Sequence, residues 1–460
     1  MTGLSGANRS FLFLQGPHGP FFYRLGERLR QRGATVWRVG FNAGDRAFWP
    51  DAASYIPCRG PAVDWPGHLR DLITERAITD LVLYGDTRPV HARAVGIAHE
   101  AGLTVHVFEE GYMRPYWVTY ERGGSNGHSR LMGMSVPQMR AALTHPEADT
   151  AMPPASWGDM RQHIFYGALY HGVVLCLNRG YRGFRPHRAL SVRQEFRVYL
   201  KRLALMPFRA IDRHIATRRI RRGGFPYHVA LLQLEHDAAV QAHSPFTTTA
   251  AFLDTVIDGF ARGAPPDHHL VVKAHPLEDG RAPIRATLRR LVMAHGVQGR
   301  VHYLPGGKLA HLLDAARSAV TINSTAGQQV LWRGLPLRSF GRAVYDKPEF
   351  VSGAPLPDFF AGADRPDREA YADYRRFLLA TSQVAGGFYS ARGRRQVLHS
   401  VVDMMLSRDD PYDALIRGTA ATDAAFPPKS HRGRDGSSQA TPLASRHRQA
   451  RYQQVEEAGQ

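Results

Sequence analysis

The chain has 460 residues, with 59 Lys and Arg against 40 Asp and Glu, a formal net charge of +19, and two cysteines, Cys58 and Cys176. That length exceeds a single hydrophobic core and predicts two α/β domains plus a tail. Two cysteines fit a reducing compartment and exclude a cysteine-rich zinc site, and no apolar run approaches the ~20 residues of a membrane-spanning helix.

The first segment, MTGLSGANRS, lacks a basic region followed by a long apolar one. FLFLQG is too short for a signal peptide and reads as a first strand, so the expected location is cytoplasmic. From there to Phe108, strand-like and helix-like segments alternate: SFLFLQ, the helical FFYRLGERLRQRG, TVWRVGF, the helical WPGHLRDLITERAI, DLVLYGD, the helical VHARAVGIAHEAG, and TVHVFEEG. Strands alternating with amphipathic helices of this length indicate βαβ units and a parallel sheet. This is a first Rossmann-like domain over residues 1–150, with Gly33 and Gly102 closing their helices in the left-handed conformation.

Residues 151–225 read as a basic, mostly helical insert. From Arg179 to Arg222 the chain is dense in arginine, including Arg193, Arg197, Lys201 and Arg202, with Glu195 and Asp212 as the only acids. Leu190, Phe196, Tyr199, Leu203 and Phe208 are interleaved. That composition predicts a basic amphipathic helix able to lie on an anionic bilayer. The alternation resumes at YHVALLQL and runs through HLVVKAHP, RVHYLPGG, SAVTINST and LPLRSFG with helices between, giving a second Rossmann-like domain over 226–345. Residues 346–418 read mainly as helix. Residues 419–460 are polar, nearly free of large apolar residues, and expected to be disordered.

Three motifs stand at strand ends: Glu109-Glu110-Gly111, Lys273-Ala274-His275-Pro276 and Asn323-Ser324-Thr325. Ligands of open parallel sheets bind beyond the carboxyl ends of the strands, so this is where chemistry is expected. Ser324 and Thr325 open a helix and can face a phosphate, or simply cap that helix. His275 can donate to a phosphate and Lys273 can add charge, although a lone His-Pro also occurs in surface loops. A glutamate of the Glu109-Glu110 pair can act as general acid or base if its pKa is raised, or form a solvated turn. Gln15 and His18 follow the first strand, while Asp86 and Arg88 follow another and can pair with each other. GxxxxGK[ST], HExxH, Cys/His clusters and Asp-x-Asp are absent, which argues against a P-loop NTPase, a zinc site and a metal-held sugar diphosphate. The basic run contains no nucleic-acid reader motif, and no nucleic-acid partner is expected.

The strings QGPHGPFF, LYGDTRPVH, VFEEGYMRPYWVT, LLQLEHDAAVQAHSPF, VVKAHPLE and INSTAGQQVLWRGLP occur in that order. In them the chain resembles the capsule polysaccharide synthesis and modification proteins of the KpsS/LipA type. The resemblance implies a GT-B fold, two tandem doubly wound domains facing a cleft. It implies transfer of Kdo (3-deoxy-D-manno-oct-2-ulosonic acid) from CMP-Kdo, with retention to a β-linkage, onto a phosphatidylglycerol-type lipid. No cofactor beyond this donor is implied. The protein would then work at the inner face of the inner membrane, with other capsule assembly and export proteins as further partners. Carried over by motif, His275, Ser324 and Thr325 hold the CMP phosphate and Glu109 or Glu110 does acid-base work near the acceptor. From the residues themselves, Lys273 adds charge on the donor side, and Gln15, His18, Asp86 and Arg88 crowd one edge of the first domain as acceptor or cleft residues. LEHDAAVQ departs from the family pattern at Gln241, which leaves the roles of Gln233 and Asp237 open. Two alternatives remain: a transferase acting on soluble polysaccharide, and a non-catalytic glycolipid-binding export factor.

Overall fold

The computed structural model describes residues 4–114, 116–143, 159–181, 183, 194, 197, 205–235, 237–276, 278 and 280–418. The tail expected over 419–460 lies outside them, as do Arg193, Lys201 and Arg202 of the predicted membrane segment. Arg197 is described as helical and exposed.

The first sheet contains β1 (Ser10–Phe13), β2 (Thr35–Gly40), β3 (Tyr55–Pro57), β4 (Asp80–Tyr84), β5 (Thr104–Glu110), β6 (Trp117–Arg122) and β12 (Gln383–Ala385), in the order β12-β6-β5-β4-β1-β2-β3. The first five pair in parallel, whereas β6 and β12 are antiparallel additions at one edge. β1 is buried at every position, as expected of a central strand covered by helices on both faces. On one face Phe11, Phe13 and Phe108 pack against Phe21, Phe22, Leu25 and Leu29, the inward row of the helix Phe21–Gln31. Each such buried side chain contributes roughly 1.5–3 kcal/mol.

The second sheet contains β7 (Tyr227–Leu231), β8 (His269–Lys273), β9 (Val301–Leu304), β10 (Ala316–Thr321) and β11 (Leu337–Ser339), all parallel, in the order β11-β10-β7-β8-β9. In both sheets the chain builds outward on one side, then returns to build on the other. The reversal falls between β1 and β4 in the first sheet and between β10 and β7 in the second. At such a switch point the loops diverge and leave a crevice at the carboxyl ends of the strands. Two doubly wound sheets of this kind, with loops facing across a cleft, make a GT-B-type architecture.

Residues 346–418 contain more than the helices expected. The helix Arg368–Thr381 packs into the core under the second sheet. The chain then crosses back: β12 extends the first sheet, and the helix Ala391–Leu406 covers its Phe11–Phe108 face through Val397, Val401 and Met405. A three-residue strand paired at long range carries no local periodicity, so the sequence pattern misses it. β3, also three residues long, is missed for the same reason, and β6 is a further strand that the sequence reading did not include.

The insert also divides. The helix Asp159–Leu177 lies against the first domain, with its Tyr170 hydroxyl accepting from Asn42 and donating to Asp45. The helix Met206–Arg222 joins the second, where Asp212 pairs with Arg285 and Ile220 enters the core.

Candidate active site

Period-two alternation along β5 sends Glu109 and Glu110 to opposite faces of the sheet. The Glu110 carboxylate accepts from the hydroxyls of Tyr84 (3.3 Å) and Tyr389 (3.2 Å), with the Arg114 charge beside it. Tyr389 stacks on His163 of the Asp159–Leu177 helix, ring centroids 4.2 Å apart. Glu109 takes one hydrogen bond, from the Glu110 amide at 3.1 Å. Desolvation by the surrounding protein raises its carboxyl to about 7, with Glu110 adding repulsion and the amide bond and Arg88 opposing. A carboxyl raised this far exchanges a proton near neutrality.

Gly85 and Gly111 make this geometry possible. Gly85 has φ +68, and a Cβ there would lie 3.1 Å from Glu109 Oε2. A Cβ on Gly111 would collide with the Trp117 carbonyl group at 2.3 Å, so β5 and β6 could not close together.

Glu109 also feels the charge of Asp237, which belongs to the second domain. Asp237 lies in the loop after β7, the central strand of its sheet. Register aligns Thr321, Leu231 and Lys273 across β10, β7 and β8. The loops carrying Ser324 and His275 thus leave the sheet on either side of β7, two strand spacings or about 10 Å apart. Glu109 is within electrostatic reach of Asp237, on the loop that leaves β7 between them. Gln233 fixes the crevice itself: its amide donates to Asn323 Oδ1 (2.8 Å) and its carbonyl accepts from the Asn323 amide (3.0 Å). This cross-strand clasp sets the path of the chain into Ser324 and Thr325.

Lys273 is almost fully buried, and burial lowers its pKa to about 8. A desolvated ammonium at a strand end is suited to an anion. His275 is half-buried and its carbonyl accepts from Glu278, closing the turn. Ser324 and Thr325 do not open the helix directly. It spans Gly327–Trp332 with Ala326 as N-cap, and Ser324 Oγ accepts from the Ala326 amide. A six-residue helix adds little dipole, so the hydroxyls rather than the helix end are the groups able to donate to an anion here.

The acceptor-side residues separate. Arg88 places its guanidinium over the Tyr84 ring and acts on Glu109. Gln15 instead donates to Asp45 and the Tyr170 hydroxyl, and His18 stacks on Tyr170 at 4.4 Å. Both are held by the insert helix. Asp86 does not pair with Arg88. It is buried and accepts from the Ser125 amide and His128. His128 in turn meets His243 of the second domain, centroids 4.6 Å apart, so Asp86 anchors a bridge between domains. Tyr389, His163 and the Gln233–Asn323 clasp were not singled out by sequence; the first two reach Glu110 only through tertiary contacts.

Glu121 is also raised to about 7 by burial. Three hydroxyls, from Tyr112, Ser129 and Tyr412, enclose it, and it is 1% exposed. That makes it a structural carboxyl rather than a reacting one.

The two doubly wound sheets make a fold of the GT-B type. The chain belongs to the capsule polysaccharide biosynthesis protein family, whose pattern it matches over residues 79–389. It is 31% identical over 388 residues to the capsule polysaccharide modification protein LipB of Neisseria meningitidis serogroup B, covering 83% of this chain and 92% of that protein. It is 30% identical over 389 residues to the capsule polysaccharide export protein KpsS of Escherichia coli, covering 83% and 97%. Among solved structures, the β-Kdo 2,7-transferase of Thermosulfurimonas dismutans KpsC overlaps it with a TM-score of 0.41 at 14% identity, over 86% of this chain and all of that one.

Proposed function

We propose that this protein transfers Kdo from CMP-Kdo, with retention to a β-linkage, to a phosphatidylglycerol-type lipid at the inner face of the inner membrane, starting a capsule anchor. The observation that carries this reading is Glu109: a desolvated strand-end carboxyl raised to about 7 that feels the charge of Asp237, on the loop after the central strand of the second sheet.

As the sugar leaves CMP, negative charge grows on the phosphate and positive charge on the anomeric carbon. Lys273 and His275 meet the former, with hydroxyl donors from Ser324 and Thr325, and the reading invokes no cofactor. Glu109 takes the proton of the acceptor hydroxyl. Glu110, held by Tyr84 and Tyr389, keeps Arg114 near the cleft, where a cation suits the carboxylate of the sugar and the phosphodiester of the lipid.

Incubation with CMP-Kdo and a panel of acceptors, read by mass spectrometry, tests this. A Kdo-phosphatidylglycerol adduct is expected, lost in Glu109→Gln. Product on free oligosaccharide alone would replace the lipid acceptor with a soluble one. CMP release by neither route would end the enzyme reading.

A further inference from the structure

Between Arg161 and Arg179 the chain has 17 residues without a single Asp, Glu, Lys or Arg. Most lie in the helix Asp159–Leu177. Its inward face is accounted for: His163, Tyr170 and the buried Val174 turn toward the first domain, and Tyr166 packs beside Gly19 and Phe48. Its outward face is apolar and open. Ile164 is 55% exposed, Phe165 61%, Leu169 43% and Leu175 37%, and Leu177 at the helix end is exposed as well. Spacing of one, four and six residues places Ile164, Phe165, Leu169 and Leu175 on one side of the helix. Contiguous exposed apolar surface of this kind marks a contact with something apolar. No helix among the described residues is long and apolar enough to cross a membrane.

We infer that this helix is the surface by which the protein enters the outer layer of a bilayer leaflet containing anionic phospholipid. Three observations select a leaflet. The stripe is uncharged over its whole length but bracketed by Arg161 and Arg179, cations that belong at headgroup level. The helix Met206–Arg222 repeats the pattern in a more basic setting: Phe208, Ile211 and Ile215 are exposed, while Arg213, Arg218, Arg219, Arg221 and Arg222 outnumber Asp212. The stripe also begins next to the chemistry. Ile164 follows His163, whose ring stacks on Tyr389, whose hydroxyl donates to Glu110. The helix end that carries Ile164 is therefore the end packed against the residues that hold Glu110. The inference deepens the lipid-acceptor reading and rests on it for its purpose, but its test does not depend on transfer.

Cys176 is exposed beside the stripe, and Cys58 is half-buried. An environment-sensitive fluorophore on Cys176 in a Cys58→Ser background reports insertion without altering an apolar residue. Vesicles of phosphatidylcholine with phosphatidylglycerol are expected to shift its emission to the blue, and pure phosphatidylcholine vesicles to do so far less. Phe165→Ser with Leu169→Ser is expected to weaken vesicle partitioning by about tenfold or more. Activity on a short-chain, water-soluble acceptor should be unchanged. An unshifted label with anionic vesicles overturns the inference. So does a wild-type dimer in sedimentation that the double variant splits, since the stripe would then cover a second copy. If the label shifts but no lipid is modified, the docking surface stands and the proposed reaction falls.

Discussion

Replacing Glu109 by Gln is the sharpest test, because it should alter activity and stability in opposite directions. Raising a carboxyl from 4.5 to about 7 means that ionising it is harder in the folded protein than in the unfolded chain. The folded state therefore binds the extra proton, and stability falls as pH rises through the window from 4.5 to about 7. Above it the full penalty applies, on the order of 2–3 kcal/mol once residual solvent contact is allowed for. Glutamine keeps an oxygen for the Glu110 amide but cannot ionise. Glu109→Gln should thus be more stable than wild type at pH 8 and equal to it near pH 4.5. A general base must be ionised, so wild-type kcat/KM should fall about tenfold from the plateau to pH 6. Glu109→Gln should lose about 100-fold or more of the plateau rate. The assays are denaturant unfolding at both pH values and CMP release across pH 5.5–8.5. Destabilisation at pH 8, or an unchanged acid limb in the variant, would refute the assignment. Glu121→Gln is the control: it should change stability and leave the limb in place.

Lys273, at about 8, should lose its charge as pH rises, so CMP affinity measured by calorimetry should weaken about tenfold from pH 7 to pH 9, and Lys273→Met should abolish that dependence. Tyr389→Phe removes one donor to Glu110 and should lower kcat several-fold while changing stability by about 1 kcal/mol or less, read by stopped assays and thermal melts. In Gly127→Ala the new Cβ would sit 2.5 Å from the His243 ring, so unfolding experiments should show a loss of about 1–3 kcal/mol from strain at the domain bridge.

The repeating units were legible because their signal is local. Apolar runs such as HLVVK and the alternating rows of FFYRLGERLRQ state their own periodicity, and buried parallel strands need little else. The strand-end positions of Glu109, Lys273 and Asn323 followed, since a parallel sheet puts its loops where its strands end. Motif order likewise identified the family.

What the sequence could not state was which of these groups share an environment. Two adjacent glutamates are chemically identical in the chain. Only the fold gives Glu110 two tyrosine hydroxyls, one from a residue 279 positions away, and leaves Glu109 desolvated opposite Asp237. Asp86 and Gln15 read as acceptor or cleft residues because their strand ends are right, and only the fold supplies their partners, His128 for the one and Asp45 and Tyr170 for the other. Arginine density singles out residues 179–222, whereas the structure also exposes apolar side chains on the uncharged run 162–178, whose sequence equally suits a buried core. Periodicity says that one face is apolar. Whether that face meets protein or remains open depends on what the rest of the chain brings against it, and that is set by tertiary packing.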